Sequence, residues 1–256
     1  MIFSNSKLLP KRIYISYLSI SNYNKFKKKG VVMIIPIINQ KGGVGKTTTA
    51  VNLASRFAKM EHKTLLIDLD PQANATIGVG LNSQERAFTN VDFSEYLSVM
   101  PSSKELSFKV LENDSLKNIL KEEDFEFILI DCPPTLNHLS INALTAGDFA
   151  IIPLRSGDYY SLFGLKDIFS TIESSNSNLD FKILVTNIDE RRSITSHFIK
   201  KLIGTVGKEK LFSTGIRIDT KLSEAPFIGK AIDLYDANSK GSIDYGDLAM
   251  EILNLN

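Results

Sequence analysis

A single cysteine in 256 residues, Cys132, is too few for a disulfide framework, which points to a reducing compartment. No apolar run approaches the roughly 20 residues that cross a bilayer as a helix, so stable membrane insertion is not expected. No internal repeat is evident, and Ser174 to Asn178 is a polar turn, too short for a domain linker. Acid is missing altogether from residues 1–32, which hold Lys7, Lys11, Arg12, Lys25, Lys27, Lys28 and Lys29. That segment therefore carries +7, while residues 33–256 carry 23 basic and 29 acidic side chains, or −6, for a net charge of +1. It also lacks an uninterrupted apolar core of signal-peptide length. Three readings of it stay open: a start assigned too early with Met33 as the true start, a flexible basic tail that adds affinity for nucleic acid, and an organelle transit peptide, since it is rich in serine and free of acid. The remainder, residues 33–256, is long and apolar enough to bury one sizeable core as one α/β domain.

The most informative stretch lacks a residue too. The phosphate-loop pattern GxxxxGK[ST] needs glycine at position 40, and Gln40 stands there with a second lysine, Lys41, beside it, in Gln40-Lys41-Gly42-Gly43-Val44-Gly45-Lys46-Thr47-Thr48. Glycines at 42, 43 and 45 let backbone N–H groups turn inward around a polyphosphate, with Val44 between them. Lys46 offers a point charge to the outer phosphates, Thr47 is the natural Mg²⁺ ligand, and Thr48 follows on the same helix start. The apolar run from Val31 to Ile38 reads as a buried strand feeding the loop. Thr47 to Met60 reads as a helix whose N-terminal dipole faces the phosphates.

Two acidic motifs sit where such a loop needs them. Thr64 to Gln72 is a short apolar strand ending in Asp68 and Asp70, and Phe125 to Ile130 runs into Asp131-Cys132-Pro133-Pro134 in the same manner. Each delivers a carboxylate to the C-terminal edge of a sheet, where open α/β sheets bind ligands and Mg²⁺ finds hard oxygen donors. Cys132, wedged between acid and prolines, reads as a packed residue. Strands are expected near 32–38, 64–68, 126–130, 148–153 and 181–186, and helices near 47–60, 137–146, 161–174, 193–204 and 242–254. This alternation with apolar strands gives a P-loop NTPase-like α/β fold, a mostly parallel central sheet with helices on both faces.

Together these residues carry a family resemblance. KGGVGKTTT at 41–49, DLDPQAN at 68–74 and ILIDCPPTL at 128–136 resemble the ParA/Soj partition ATPases, within a larger group that includes MinD and the nitrogenase iron protein. The similarity continues through 141–153, 158–165 and LSEAPFIGKAIDLYDANSKGS at 222–242, covering nearly all of 33–256. The iron protein's shared cluster needs two cysteines per subunit, so that comparison loses. The resemblance implies a cytoplasmic, nucleoid-associated ATPase, weak until stimulated by a ParB-like partner, with ATP and Mg²⁺ as cofactors. It implies an ATP-dependent homodimer in which Lys41 crosses to the partner subunit's phosphates. Lys46 and Lys41 would carry charge in catalysis, Asp70 would orient or activate water, and Thr47 with Asp131 would hold the metal. Asn187 and Asp219 would approach the adenine. Arg191 and Lys221 would bind DNA without sequence preference, and residues 181–230 hold ten basic side chains against five acids.

Some positions depart from the family pattern. The interval from Asp70 to Asp131 is short, Arg217 and Ala231 replace expected prolines, and Phe163 stands where an acid is common. None touches phosphate chemistry, but they leave partner and cargo open. A ParA-like positioner of another cargo fits almost as well. A MinD-like membrane switch would need a basic amphipathic C-terminal helix, and Leu248 to Asn256 has no basic residue. A non-enzymatic DNA-binding module would not need the complete set Lys41, Lys46, Thr47, Asp70 and Asp131.

Overall fold

Alternate apolar residues along the central strands face opposite ways and build two separate cores, so the sheet has to be covered on both sides. The computed structural model describes residues 33–81, 90–102, 112–121 and 123–255. The basic leader, residues 1–32, lies outside them. Seven strands, β1 (Met33–Ile37), β2 (Thr64–Asp68), β3 (Val91–Ser94), β4 (Leu97–Met100), β5 (Phe127–Asp131), β6 (Phe149–Arg155) and β7 (Asp180–Thr186), form one sheet in the order β3-β4-β2-β5-β1-β6-β7. All neighbours pair parallel except the β3–β4 hairpin at one edge.

On one face, Ile35, Ile37, Leu66, Phe127, Leu129 and Ile151 pack against α1 (Lys46–Lys59) and the helix near the C-terminus, Lys240–Leu253. Phe57 of α1 stacks on Phe127 with ring centres 4.1 Å apart. On the other face, Leu65, Ile67, Ile128, Ile130, Ile152 and Ile183 meet α3 (Ser115–Leu120), α4 (His138–Ala146), α5 (Ser161–Ser175) and α6 (Ser193–Val206). Asn137 caps α4, its Oδ1 accepting from the N–H groups of Leu139 and Ser140, a cap of the kind that contributes about 1 kcal/mol.

The five strands and five longer helices expected from the sequence are all present. The hairpin β3–β4 is an addition, as are α3 and the short helices α2 (Asn74–Gly78), α7 (Lys221–Glu224), the 3₁₀ turn Ala225–Ile228 and α8 (Ile232–Tyr235). The helix Lys240–Leu253, α9, buries Tyr245, Leu248, Ala249 and Ile252 against the core. Its apolar face is committed inside the molecule. Among the described residues no helix is long and apolar enough to cross a membrane.

The winding of the chain reverses at β1. Strands β5, β2, β4 and β3 extend to one side of it and β6 and β7 to the other, so a crevice opens at the carboxyl end of β1, the position at which open α/β sheets take their ligands.

Candidate nucleotide site

The loop in that crevice is built by conformations only glycine adopts easily. Gly43 and Gly45 stand at φ +72° and +97°, where a side chain would be strained. Gly42 does not, and a Cβ there would meet nothing within 4 Å. Asn39 holds the loop's entrance, its Nδ2 donating to the Pro153 carbonyl at 2.8 Å while Oδ1 accepts from the Lys41 N–H at 2.9 Å. Thr186 at the end of β7 holds the far side, its hydroxyl donating to the carbonyl of the buried Val44 at 2.8 Å. Gly45 opens α1 with no side-chain cap and no acid in the first turn, so the first N–H groups of the helix stay free for an anion.

The two lysines of the loop are placed differently. Lys46 is buried, with Nζ donating back to the Lys41 carbonyl at 3.0 Å. Burial holds its ammonium below the ordinary lysine value, opposed by Asp131, Cys132 and Asp70. Lys41 is half exposed and its ammonium is ion-paired with Asp158 of the same chain. Lys41 to Val44 form one wall of a cleft of about 290 Å³, and Arg155 to Asp158 form the other.

The carboxylates converge from two neighbouring strands. Asp131 ends β5 in register with Ile37 of β1 and Asp68 of β2. It is completely buried, and neither of its oxygens makes a well-formed hydrogen bond, although the Thr47 hydroxyl acts on it as a donor. Burial, then repulsion from Asp68, pushes its pKa well above the usual carboxylate range, against the Thr47 hydroxyl and the Lys46 ammonium. Buried polar atoms without partners are rare and call for an explanation. A hard divalent cation supplies one here. Among the described residues no group of three His, Cys, Asp or Glu could hold a metal by itself; the oxygens of Thr47 and Asp131 are hard donors of the kind Mg²⁺ takes alongside water and phosphate oxygens. Cys132 is fully buried and its thiol is pushed upward by burial and by Asp131, as fits a packed residue.

Asp70 is nearly buried, and its Oδ1 accepts from the Gln72 N–H at 3.0 Å. Asp68 is enclosed: Oδ1 accepts from the Asp70 N–H at 3.1 Å, and Oδ2 accepts from both the N–H and the hydroxyl of Thr76 at 2.8 Å. Burial raises the Asp68 pKa to about 6 despite those donors.

The residues matched to adenine and DNA contacts are also positioned. Asn187, at φ +55°, follows the Thr186 that holds the loop. Ile188 bonds to Ile216 and Ile218 at 2.9 Å, which brings the segment leading to Asp219 alongside. Asp219 already accepts from the N–H groups of Lys221 at 3.0 Å and Gly241 at 2.8 Å. It braces that segment against α9, a role its sequence position does not announce. Arg191 is exposed and forks onto Asp189 at 2.9 and 3.0 Å. Lys221 is paired with Glu224 at 2.9 Å and lies over the Tyr235 ring. Arg217, in place of an expected proline, forks onto Asp244, with its shortest contact at 2.6 Å. Asn39, Thr186, Asp158 and Thr76 were not singled out in the sequence. Only Asp158 lay within a recognised segment, because their roles depend on contacts between strand ends.

A glycine loop between β1 and α1, a lysine inside it, and carboxylates delivered by β2 and β5 define a P-loop nucleotide-binding protein. Residues 32–185 match the family described as an AAA domain. The chain is 37% identical over 251 residues to the "Chromosome partitioning protein ParA" of Myxococcus xanthus, covering 86% of this chain and 87% of that one. It is 37% identical to the "Sporulation initiation inhibitor protein Soj" of Bacillus subtilis, covering 86% and 97%. The Pyrococcus horikoshii MinD structure in complex with Mg-ADP superposes with a TM-score of 0.75 over 88% of this chain and 97% of that one, at 22% identity. The chain belongs to the ParA/Soj family of P-loop partition ATPases.

Proposed function

We propose that this protein is an ATP-dependent dimerisation switch that hydrolyses ATP, binds DNA without sequence preference in its ATP state, and acts in chromosome or plasmid partition. The observation that carries the reading is the division between the two loop lysines. Lys46 serves the loop from within, whereas Lys41 is half exposed and turned onto Asp158 at the mouth of an open cleft. A cation so placed adds little to its own loop, and once parted from Asp158 it can reach the phosphates of a second copy. Gly42 fits the same reading, since neither its backbone nor its surroundings in this chain demand glycine.

In the two-fold dimer each subunit lends its Lys41 to the other, which couples nucleotide occupancy to oligomeric state. Gly42 to Thr48 cradle the phosphates, and Asn187 and Asp219 line the base end. Thr47 and Asp131 would hold Mg²⁺, which when bound neutralises phosphate charge. Asp70 orients or activates water, and a ParB-like partner accelerates turnover. Arg191 and Lys221 supply phosphate contacts on the nucleoid. The buried face of α9 supports this reading over a membrane-attached one. Sedimentation with ATP, ADP and no nucleotide tests the proposal. A dimer is expected only with ATP in the wild type and in no condition for Lys41→Ala, while both proteins still bind ATP by calorimetry. A nucleotide-independent dimer would refute the switch.

A further inference from the structure

We infer that Ser102, acting with Thr76 and Asp68, is a positioning residue for Asp70; the inference rests on the reading of Asp70 as the group that orients water. Ser102 lies two residues beyond the end of β4, and it is fully buried. Its hydroxyl donates to the main-chain carbonyl of Asp70 at 2.6 Å, and its N–H donates to the Thr76 hydroxyl oxygen at 2.9 Å. That hydroxyl donates in turn to Asp68 Oδ2 at 2.8 Å. The segment from Asp70 to Thr76 is thereby tied at both ends. Asp68 holds the Asp70 N–H and the Thr76 N–H from the end of β2, and Ser102 holds the Asp70 carbonyl and the Thr76 hydroxyl from the end of β4.

The ties bear on the direction of the Asp70 side chain. Its carboxylate makes one bond inside its own turn, to the Gln72 N–H, and Ala73 in the same turn stands at φ +55°. A turn with a non-glycine residue in the left-handed region holds its shape only when its surroundings impose it. The Asp70 carbonyl accepts twice, from the Ala73 N–H at 2.8 Å within the turn and from Ser102 outside it. Ser102 is thus the contact that references the peptide plane of Asp70 to the sheet. Misplacement of a water-orienting group by about 1 Å can cost on the order of a hundredfold in rate, so a pin on its main chain is a rate-determining feature even though it touches no substrate.

Ser102→Ala tests this, since it removes only the hydroxyl and leaves the N–H to Thr76. The expected result is a fall of about tenfold in kcat for ATP hydrolysis, with the KM for ATP and the Kd for ATP within twofold of wild type. Hydrogen exchange should quicken in the peptide covering residues 70–76 and stay unchanged across β1, β5 and β6. Thr76→Val should act in the same direction, and Thr76→Ser, which keeps the hydroxyl, should restore the wild-type rate. A wild-type kcat in Ser102→Ala overturns the inference alone. So does exchange that quickens throughout the sheet, because that is general loss of stability. A wild-type protein without ATP turnover overturns the hydrolytic reading and this inference together.

Discussion

Two buried charged residues dominate the site, and their burdens differ in sign. Lys46 is a cation below its ordinary pKa for want of water, compensated by the carboxylates around it. Lys46→Ala removes the only lysine held inside the loop, so calorimetry should show no ATP binding. Unchanged affinity would remove the assignment of this loop. Asp131 carries the opposite strain, a carboxylate fully buried with no well-formed hydrogen bond and a pKa raised by burial and by Asp68. A folded-state pKa above the unfolded value means that the native state holds the proton more tightly. The contribution of Asp131 to stability is then greatest at low pH and declines as pH rises from the unfolded value, near 4, through the folded one. Without nucleotide or metal, Asp131→Asn should therefore be more stable than wild type at pH 7, and the gain should shrink on acidification. The same variant should lose Mg²⁺-dependent ATP binding. Denaturant melts at pH 5 and pH 7 would check the sign, and a variant less stable than wild type at pH 7 would show that some donor had satisfied the carboxylate after all.

Loop and strand ends act as units, and here the empty space around Gly42 becomes informative. Gly42→Val adds no contact within 4 Å at its Cβ, so the variant is expected to fold and bind ATP yet form no ATP-dependent dimer by sedimentation. A normal dimer would rule out the shared-site geometry. Asp158 would oppose the proposed assembly from the other wall of the cleft, because it holds Lys41 within its own chain. Asp158→Asn should release Lys41 and lower the ATP concentration needed for half-maximal dimerisation; an unchanged midpoint would mean the pair breaks without cost. These elements were legible in the sequence to unequal degrees. Five of the six parallel strands could be read because each is a largely apolar run, with β1, β2 and β5 ending at a motif, and the loop because its glycines and lysines are adjacent in sequence. The β3–β4 hairpin could not, since Val91–Ser94 mixes acid and serine with apolar residues over only four positions and leaves no clear period to follow. Helices of four to six residues, such as α2 and α7, are shorter than the turns needed to show a 3.6-residue repeat. The braces Asn39, Thr186 and Ser102 join strand ends far apart in the chain, and a single sequence does not record which ends become neighbours. Arg217 departed from the family pattern without explanation until its partner, Asp244, came from α9.

At the scale of the whole molecule, the proposed binding of DNA has to be reconciled with a chain that is negative from residue 33 onward. Its two matched cations are not free, since Arg191 is forked onto Asp189 and Lys221 is paired with Glu224. Both pairs reach solvent, with Asp189, Lys221 and Glu224 half-buried, and solvated pairs of this kind are weak and screened by salt, so a phosphate can compete with the carboxylates. One subunit brings one such set to the duplex. The two-fold dimer brings two to a single DNA molecule, so binding should appear only with ATP and should ignore base sequence, because contacts to phosphate carry no base information. Lys221→Ala should remove two contacts per dimer and lower the slope of log K against log salt by roughly 2, without changing ATP affinity. Glu224→Gln should tighten DNA binding at every salt concentration by freeing the same lysine. The measurement is a salt series made in the Asp70→Ala background, expected to trap the ATP dimer, with residues 1–32 both present and deleted. If the slope held in the Lys221 and Arg191 variants while deletion of residues 1–32 abolished binding, the DNA contact would belong to that +7 segment and not to the two-fold face of the dimer.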